Sequence, residues 1–179
     1  MENYKILINK EHKLPFYYIP NDLIKVENEK IVLKVYKEYL KLQKISKNND
    51  LNIFIDSGYR SYENQIKVYL YYLMKLGLKE TKKRVAIPGC TEHQTGLAFD
   101  IGILEDNKER NITIEESKFL EEIGYKYGFI LRYPKGKEDI TGFNYEPWHF
   151  RYIGDVKASE YLYYNNLTLE EYYEKNKVK

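Results

Sequence analysis

Along residues 29–46 apolar side chains recur at intervals of three and four, through Ile31, Val32, Val35, Tyr36, Tyr39, Leu40 and Leu42. That spacing predicts an amphipathic helix, closed by Asn48-Asn49-Asp50. Residues 51–56 make a short, mostly apolar run suited to a buried strand, and Ser57-Gly58 supplies the turn that ends it. A second helix is predicted over 62–76, with Ser61 as N-cap and Gly77 as stop. Residues 96–103 alternate as a strand should. Helical spacing returns over 113–127 through Phe119, Leu120, Ile123 and Tyr127, and Gly128 ends it. Residues 129–132 and 148–153 read as further strands. The tail from Asp155 holds two short helical stretches, the second starting at Thr168 with Glu170 and Glu171 in its first turn.

Ahead of these elements, residues 1–25 form an irregular lead-in with an extended piece at 4–8 and Pro15 and Pro20 as breakers. Its apolar side chains imply that it packs on the rest. No repeat, low-complexity tract or linker divides the chain, so 1–179 reads as one domain. The class is α+β, with helices flanking a small, mainly antiparallel sheet.

Charge adds little: 29 basic against 27 acidic residues leave a net +2, with no long single-sign block to suggest nucleic acid or a membrane surface. No apolar run approaches the roughly 20 residues that span a bilayer, and the first ten residues lack a signal-peptide core. A full-length chain of this kind is expected in the cytoplasm, and one that has lost a signal or anchor at the cell envelope. The one cysteine, Cys90, excludes an internal disulfide and reads as a small residue in the turn after Pro88-Gly89. Oligomeric state leaves no mark in the sequence.

Histidine changes the picture. Only three are present, and two lie in segments dense in other ligand types, Thr91-Glu92-His93-Gln94-Thr95-Gly96-Leu97-Ala98-Phe99-Asp100 and Glu146-Pro147-Trp148-His149. Taken singly, His93 reads as a polar loop histidine, Asp100 as a turn carboxylate and Glu146 as a surface carboxylate. Taken together they supply two imidazoles and a carboxylate for one zinc ion, with a fourth position open and a spare glutamate nearby to act as general base. His93 and Asp100 are seven apart, which on one straight strand puts them on opposite faces; Gly96 offers the bend that lets both converge. Pro147 disfavours the helical H-E-x-x-H scaffold, so this is a different zinc geometry. Arg60, just past the buried strand, can stabilise charge developing on a carbonyl oxygen, although alone it reads as a surface salt-bridge residue.

The segments Ser57-Gly58-Tyr59-Arg60-Ser61 with Gln65, Pro88 to Asp100, and Tyr145-Glu146-Pro147-Trp148-His149-Phe150-Arg151-Tyr152 resemble, in order and spacing, the VanY-like zinc D-Ala-D-Ala carboxypeptidases and dipeptidases. Further stretches at 127–134, 140–142 and 167–172 resemble the VanXY branch, associated with glycopeptide resistance. The resemblance implies a hedgehog-like zinc-peptidase fold and one Zn2+ on His93, Asp100 and His149. It also implies Glu146 as base and later acid, and Arg60 on the substrate carbonyl or its oxyanion. Ser57, Gln65, Thr91, Tyr59 and Trp148 become the substrate-binding candidates. Thr91 stands where the family more often has serine, which keeps the hydroxyl but narrows the pocket. Ser57 replaces the aspartate that holds a free substrate ammonium in the dipeptidase branches.

These features favour a zinc D,D-carboxypeptidase that removes the terminal D-Ala from peptidoglycan precursor peptides, with dipeptidase activity as a secondary reading. An L,D-carboxypeptidase or an L-alanyl-D-glutamate endolysin uses the same zinc chemistry. A non-catalytic peptide-binding protein with a structural zinc is the alternative from another class, and the open coordination position argues against it.

Overall fold

A computed structural model describes residues 4–177. Residues 4–22 form an irregular lead-in that buries Ile8 and Leu14. The extended piece expected at 4–8 forms no strand, and the lead-in ends earlier than residue 25, because β1 (Leu23–Val26) pairs with β2 (Glu29–Val32) in an antiparallel hairpin. Residues 29–32 are therefore strand and not the first turn of a helix. β-Branched Ile31 and Val32 are fully buried there, while Glu27 takes the hairpin turn at φ +53°. Helix α1 (Leu33–Lys47) follows, packs through Val35, Tyr39 and Leu42, leaves Leu40 exposed, and gives way to a turn with Asp50 at φ +57°.

The main sheet has five antiparallel strands. β4 (Ala98–Glu105) lies between β3 (Ile53–Ser57) on one edge and β7 (His149–Tyr152) and β5 (Lys108–Asn111) on the other, and β6 (Phe129–Leu131) pairs outside β7. β5 goes unpredicted because only four residues, mostly charged and exposed, make it; Asp106 and Asn107, at φ +50° and +60°, form its hairpin turn. Helix α2 (Tyr62–Arg84) starts where Ser61 accepts the Asn64 N–H, as expected. Gly77, at φ +72°, breaks its geometry, but helical structure resumes to Arg84 rather than stopping. Thr113 and Glu116 form a capping box for α3 (Ile114–Gly124), and a 3-10 turn at Tyr125–Tyr127 carries the chain to Gly128 at φ +81°. A short α4 (Glu138–Thr141), then α5 (Val156–Tyr164) and α6 (Leu169–Lys177), complete the described residues. α1, β3, β4 and β6–β7 enclose the main core around Phe99, Phe129, Phe150, Leu42 and Leu120.

Half-buried Glu121 on α3 has its carboxyl raised above the ordinary value by burial. Such a group contributes its full stability below the unfolded carboxyl pKa, near 4.3, and loses it as pH rises through the folded value. Glu121→Gln is therefore expected to raise the melting temperature at about pH 7.5, with the gain vanishing near pH 4. Thermal melts at the two pH values test this; equal shifts at both contradict it.

Candidate metal centre

Register and turns bring the distant segments together. β4 and β7 pair Asp100 directly with His149, so the two side chains are nearest cross-strand neighbours, and His149 Nδ1 lies 3.0 Å from Asp100 Oδ1. Glu146 and His149 are the first and last residues of a turn, closed by the His149 N–H donating to the Glu146 carbonyl at 3.2 Å, with Pro147 at its second position. His93 arrives just ahead of β4, at the same end as Asp100, on a 3-10 turn (Glu92–Thr95) that Thr91 caps by accepting the His93 N–H. Gly96 then bends the chain at φ +65°, where a Cβ would meet Leu23 and Val32 at 3.0 Å. His93 Nε2 consequently sits 3.5 Å from Asp100 Oδ2, the convergence that its spacing from Asp100 demanded.

A bulge in β3 sets the opposite wall. Ile55 pairs with Ile101 and Ser57 with Asp100, leaving Asp56 as the extra, exposed residue. Regular pairing would have set Asp56 across from Asp100, a like-charge opposition that destabilises a sheet. Past the bulge, Gly58 runs so close to β2 that a Cβ would stand 2.3 Å from the Lys30 carbonyl oxygen. The same strand holds this loop: Tyr59 N–H donates to the Lys30 carbonyl and Gly58 N–H to Glu29 Oε2. The Gly58 carbonyl in turn lies 2.7 Å from His93 Nδ1. A carbonyl can only accept, so Nδ1 carries the proton and Nε2 presents its lone pair toward Asp100.

His93, Asp100 and His149 offer ligand atoms that all lie within 4.8 Å of one another, and this set can hold a metal ion. Two imidazoles and a carboxylate suit a catalytic zinc site, which uses three protein ligands. Burial opposes the charged form of Asp100, but the two histidines outweigh it and hold the carboxyl far below the usual range. For His149, burial is outweighed by Asp100 and Glu92, which raise it to about 9, whereas burial lowers His93. Glu146 is pushed up to about 7, chiefly by burial and then by the charges of Asp100 and Glu92.

A cleft of about 500 Å3 opens onto this cluster. Of the sequence-predicted residues, Arg60, Gln65, Thr91, His93, Asp100, Glu146, Trp148 and His149 line it; Ser57 and Tyr59 do not. Ser57 acts one step back, accepting from Arg60 Nη2 at 2.7 Å, while Gln65 Oε1 accepts from Arg60 Nη1 at 3.1 Å. Gln65 Nε2 donates to the Ala86 carbonyl, so its polar atoms brace Arg60 rather than facing solvent. Phe143 and Tyr133 also line the cleft, as do Tyr72, Arg84 and Asn144, which no ligand-type signature marks in the sequence. Third histidine His12 lies in the lead-in, its Nδ1 3.0 Å from Asn9 Oδ1. Cys90 is buried in the turn closed by its N–H on the Ile87 carbonyl, as expected.

The family model for VanY, D-alanyl-D-alanine carboxypeptidase, matches residues 28–155. Over 178 residues the chain is 36% identical to the bifunctional D-Ala-D-Ala dipeptidase and carboxypeptidase VanXYC of Enterococcus gallinarum, covering 94% of this chain and 92% of that protein. Among solved structures, the LdcB LD-carboxypeptidase superposes with a TM-score of 0.84 at 39% identity, covering 94% of this chain and 85% of that one. VanY D,D-pentapeptidase from the VanB-type resistance cassette, solved with Zn(II), gives 0.82 at 34% identity, with 96% and 99% covered. The chain belongs to the VanY D-alanyl-D-alanine carboxypeptidase family. It has the mixed helix and antiparallel-sheet fold of the VanY and VanXY zinc peptidases, and is an enzyme of that group. No helix among the described residues is long and apolar enough to cross a membrane.

Proposed function

We propose that the cleft is a zinc D,D-carboxypeptidase site that removes the C-terminal D-alanine from peptidoglycan precursor peptides ending in D-Ala-D-Ala. His93, Asp100 and His149 hold the ion. Zinc supplies Lewis acidity toward a carbonyl and lowers the pKa of water, the two requirements of amide hydrolysis at neutral pH. Glu146 takes the proton from the attacking water and returns it to the departing amine of D-alanine. Arg60, fixed by Ser57 and Gln65, donates to the carbonyl oxygen as negative charge builds on it. Thr91 and Trp148 border the space left for the terminal residue.

One observation carries the preference for an acylated peptide over the free dipeptide. Apart from Asp100 and Glu146 of the metal cluster, the described lining contains no carboxylate, while Arg60 and Arg84 bring positive charge. A free substrate ammonium would be desolvated without a counter-charge, at a cost of roughly 1–3 kcal/mol. An acylated peptide should therefore be preferred over free D-Ala-D-Ala by about 10- to 100-fold in kcat/KM. D-Alanine release from both, measured beside an acylated peptide ending in L-Lys-D-Ala, tests the reading. Faster hydrolysis of the free dipeptide would overturn the carboxypeptidase assignment. Faster hydrolysis of the L,D peptide would favour the second reading, which the similarity to LdcB supports.

Gln65 supplies a further check. Gln65→Leu removes one of the two side-chain acceptors of Arg60 and is expected to lower kcat at least about tenfold with zinc content unchanged. A rise in KM alone would place Gln65 in ground-state binding instead.

A further inference from the structure

Glu92 follows Thr91 in the first metal segment, yet neither the cleft nor the chemistry above uses it. Its side chain is fully buried. Oε1 accepts from Arg132 Nε at 2.8 Å and from Arg151 Nη1 at 2.7 Å. Both arginines are themselves anchored, Arg132 by two bonds to Glu170 and Arg151 by the Tyr4, Ile6 and Tyr152 carbonyls. Among the described residues the other oxygen, Oε2, has no hydrogen-bond partner, and neither does His149 Nε2. These two buried atoms stand 3.6 Å apart. On the opposite side of the ring, Nδ1 faces Asp100 Oδ1 at 3.0 Å and Glu146 Oε2 at 3.9 Å.

We infer that Glu92 is a positioning residue for His149: its Oε2 holds a proton on Nε2 and thereby leaves Nδ1 as the nitrogen presented to the metal. The inference rests on the metal reading proposed above. It gives the two histidines opposite tautomers, each set from behind the ring. His93 is held by the neutral Gly58 carbonyl at Nδ1 and presents Nε2, while His149 is held by an anion at Nε2 and presents Nδ1. An ionised acceptor behind an imidazole fixes its orientation and strengthens it as a ligand. The paired arginines keep that acceptor ionised in a site with no solvent.

Glutamine separates this role from simple packing. In Glu92→Gln the amide oxygen stays with the two arginine donors, which turns the NH2 group toward His149 Nε2. A donor there needs an acceptor nitrogen, so the proton moves to Nδ1 and competes with the metal. Zinc affinity, measured by chelator competition, should fall about 10- to 100-fold. Arg132→Lys disturbs the same ion-pair network but leaves Oε2 facing the ring; it should lower the melting temperature with zinc affinity within about threefold of wild type. Equal zinc losses in the two variants would overturn the inference and leave Glu92 a structural charge.

The wild-type protein decides the matter even if Glu92→Gln does not fold. In ring 15N spectra of the zinc-loaded protein, His149 should show a protonated Nε2 and a zinc-bound Nδ1, with the reverse for His93. Zinc on Nε2 of His149 would refute the role of Glu92 alone. Failure of the wild-type chain to bind zinc at these histidines would refute the metal reading instead.

Discussion

Glu146→Gln is expected to retain one zinc per chain and the wild-type melting profile while kcat falls about 10^2- to 10^4-fold. The glutamine is isosteric and Glu146 is not one of the three clustered ligand residues, so the metal set stays intact. What disappears is the proton acceptor. The turn through Pro147 fixes Glu146 three residues before His149, and its Oε2 lies 3.9 Å from that ring, beside the cluster but outside it. No other carboxylate of the described lining is free to substitute, because Asp100 is engaged by both histidines. Turnover by zinc-loaded Glu146→Gln near the wild-type rate would remove Glu146 from the chemistry.

Asp100→Ala should abolish activity through the metal. Spreading the roughly 10–16 kcal/mol of a four-ligand zinc site evenly gives about 3 kcal/mol per ligand, a loss of more than about 10^2 in affinity. The truncation also takes away the oxygen that His149 Nδ1 faces at 3.0 Å and the one that His93 Nε2 faces at 3.5 Å, so both rings lose their alignment. Equilibrium dialysis against zinc at submicromolar free concentration reads the effect directly. Near-stoichiometric retention of zinc by Asp100→Ala would reduce Asp100 to a turn carboxylate.

Much of the metal cluster was legible because its geometry is local. Pro147 disfavours a helical relation of Glu146 to His149, and the structure has a turn there; Gly96 gives the bend that relates His93 to Asp100. Pairing of Asp100 with His149 was not legible, since strand register depends on the whole sheet. Helix and strand were confused at residues 29–32, where two buried β-branched residues mimic the start of an amphipathic helix. That confusion hid how the site is built: β2 is the strand whose Lys30 carbonyl and Glu29 carboxylate fix the Gly58–Tyr59 loop, and through it His93. Ser57 shows the other limit. Its identity could be read, but only the bulge reveals that its hydroxyl serves Arg60 instead of lining the cleft. Glu92 was hidden for a similar reason, because its partners Arg132 and Arg151 lie 40 and 59 residues away.

The most direct test titrates metal-free protein with zinc while recording D-alanine release from an acylated peptide ending in D-Ala-D-Ala. The expected result is activity that is absent without metal, rises in proportion to added zinc, and levels off at one equivalent per chain. Release by the metal-free protein, or none at one bound zinc, would contradict it.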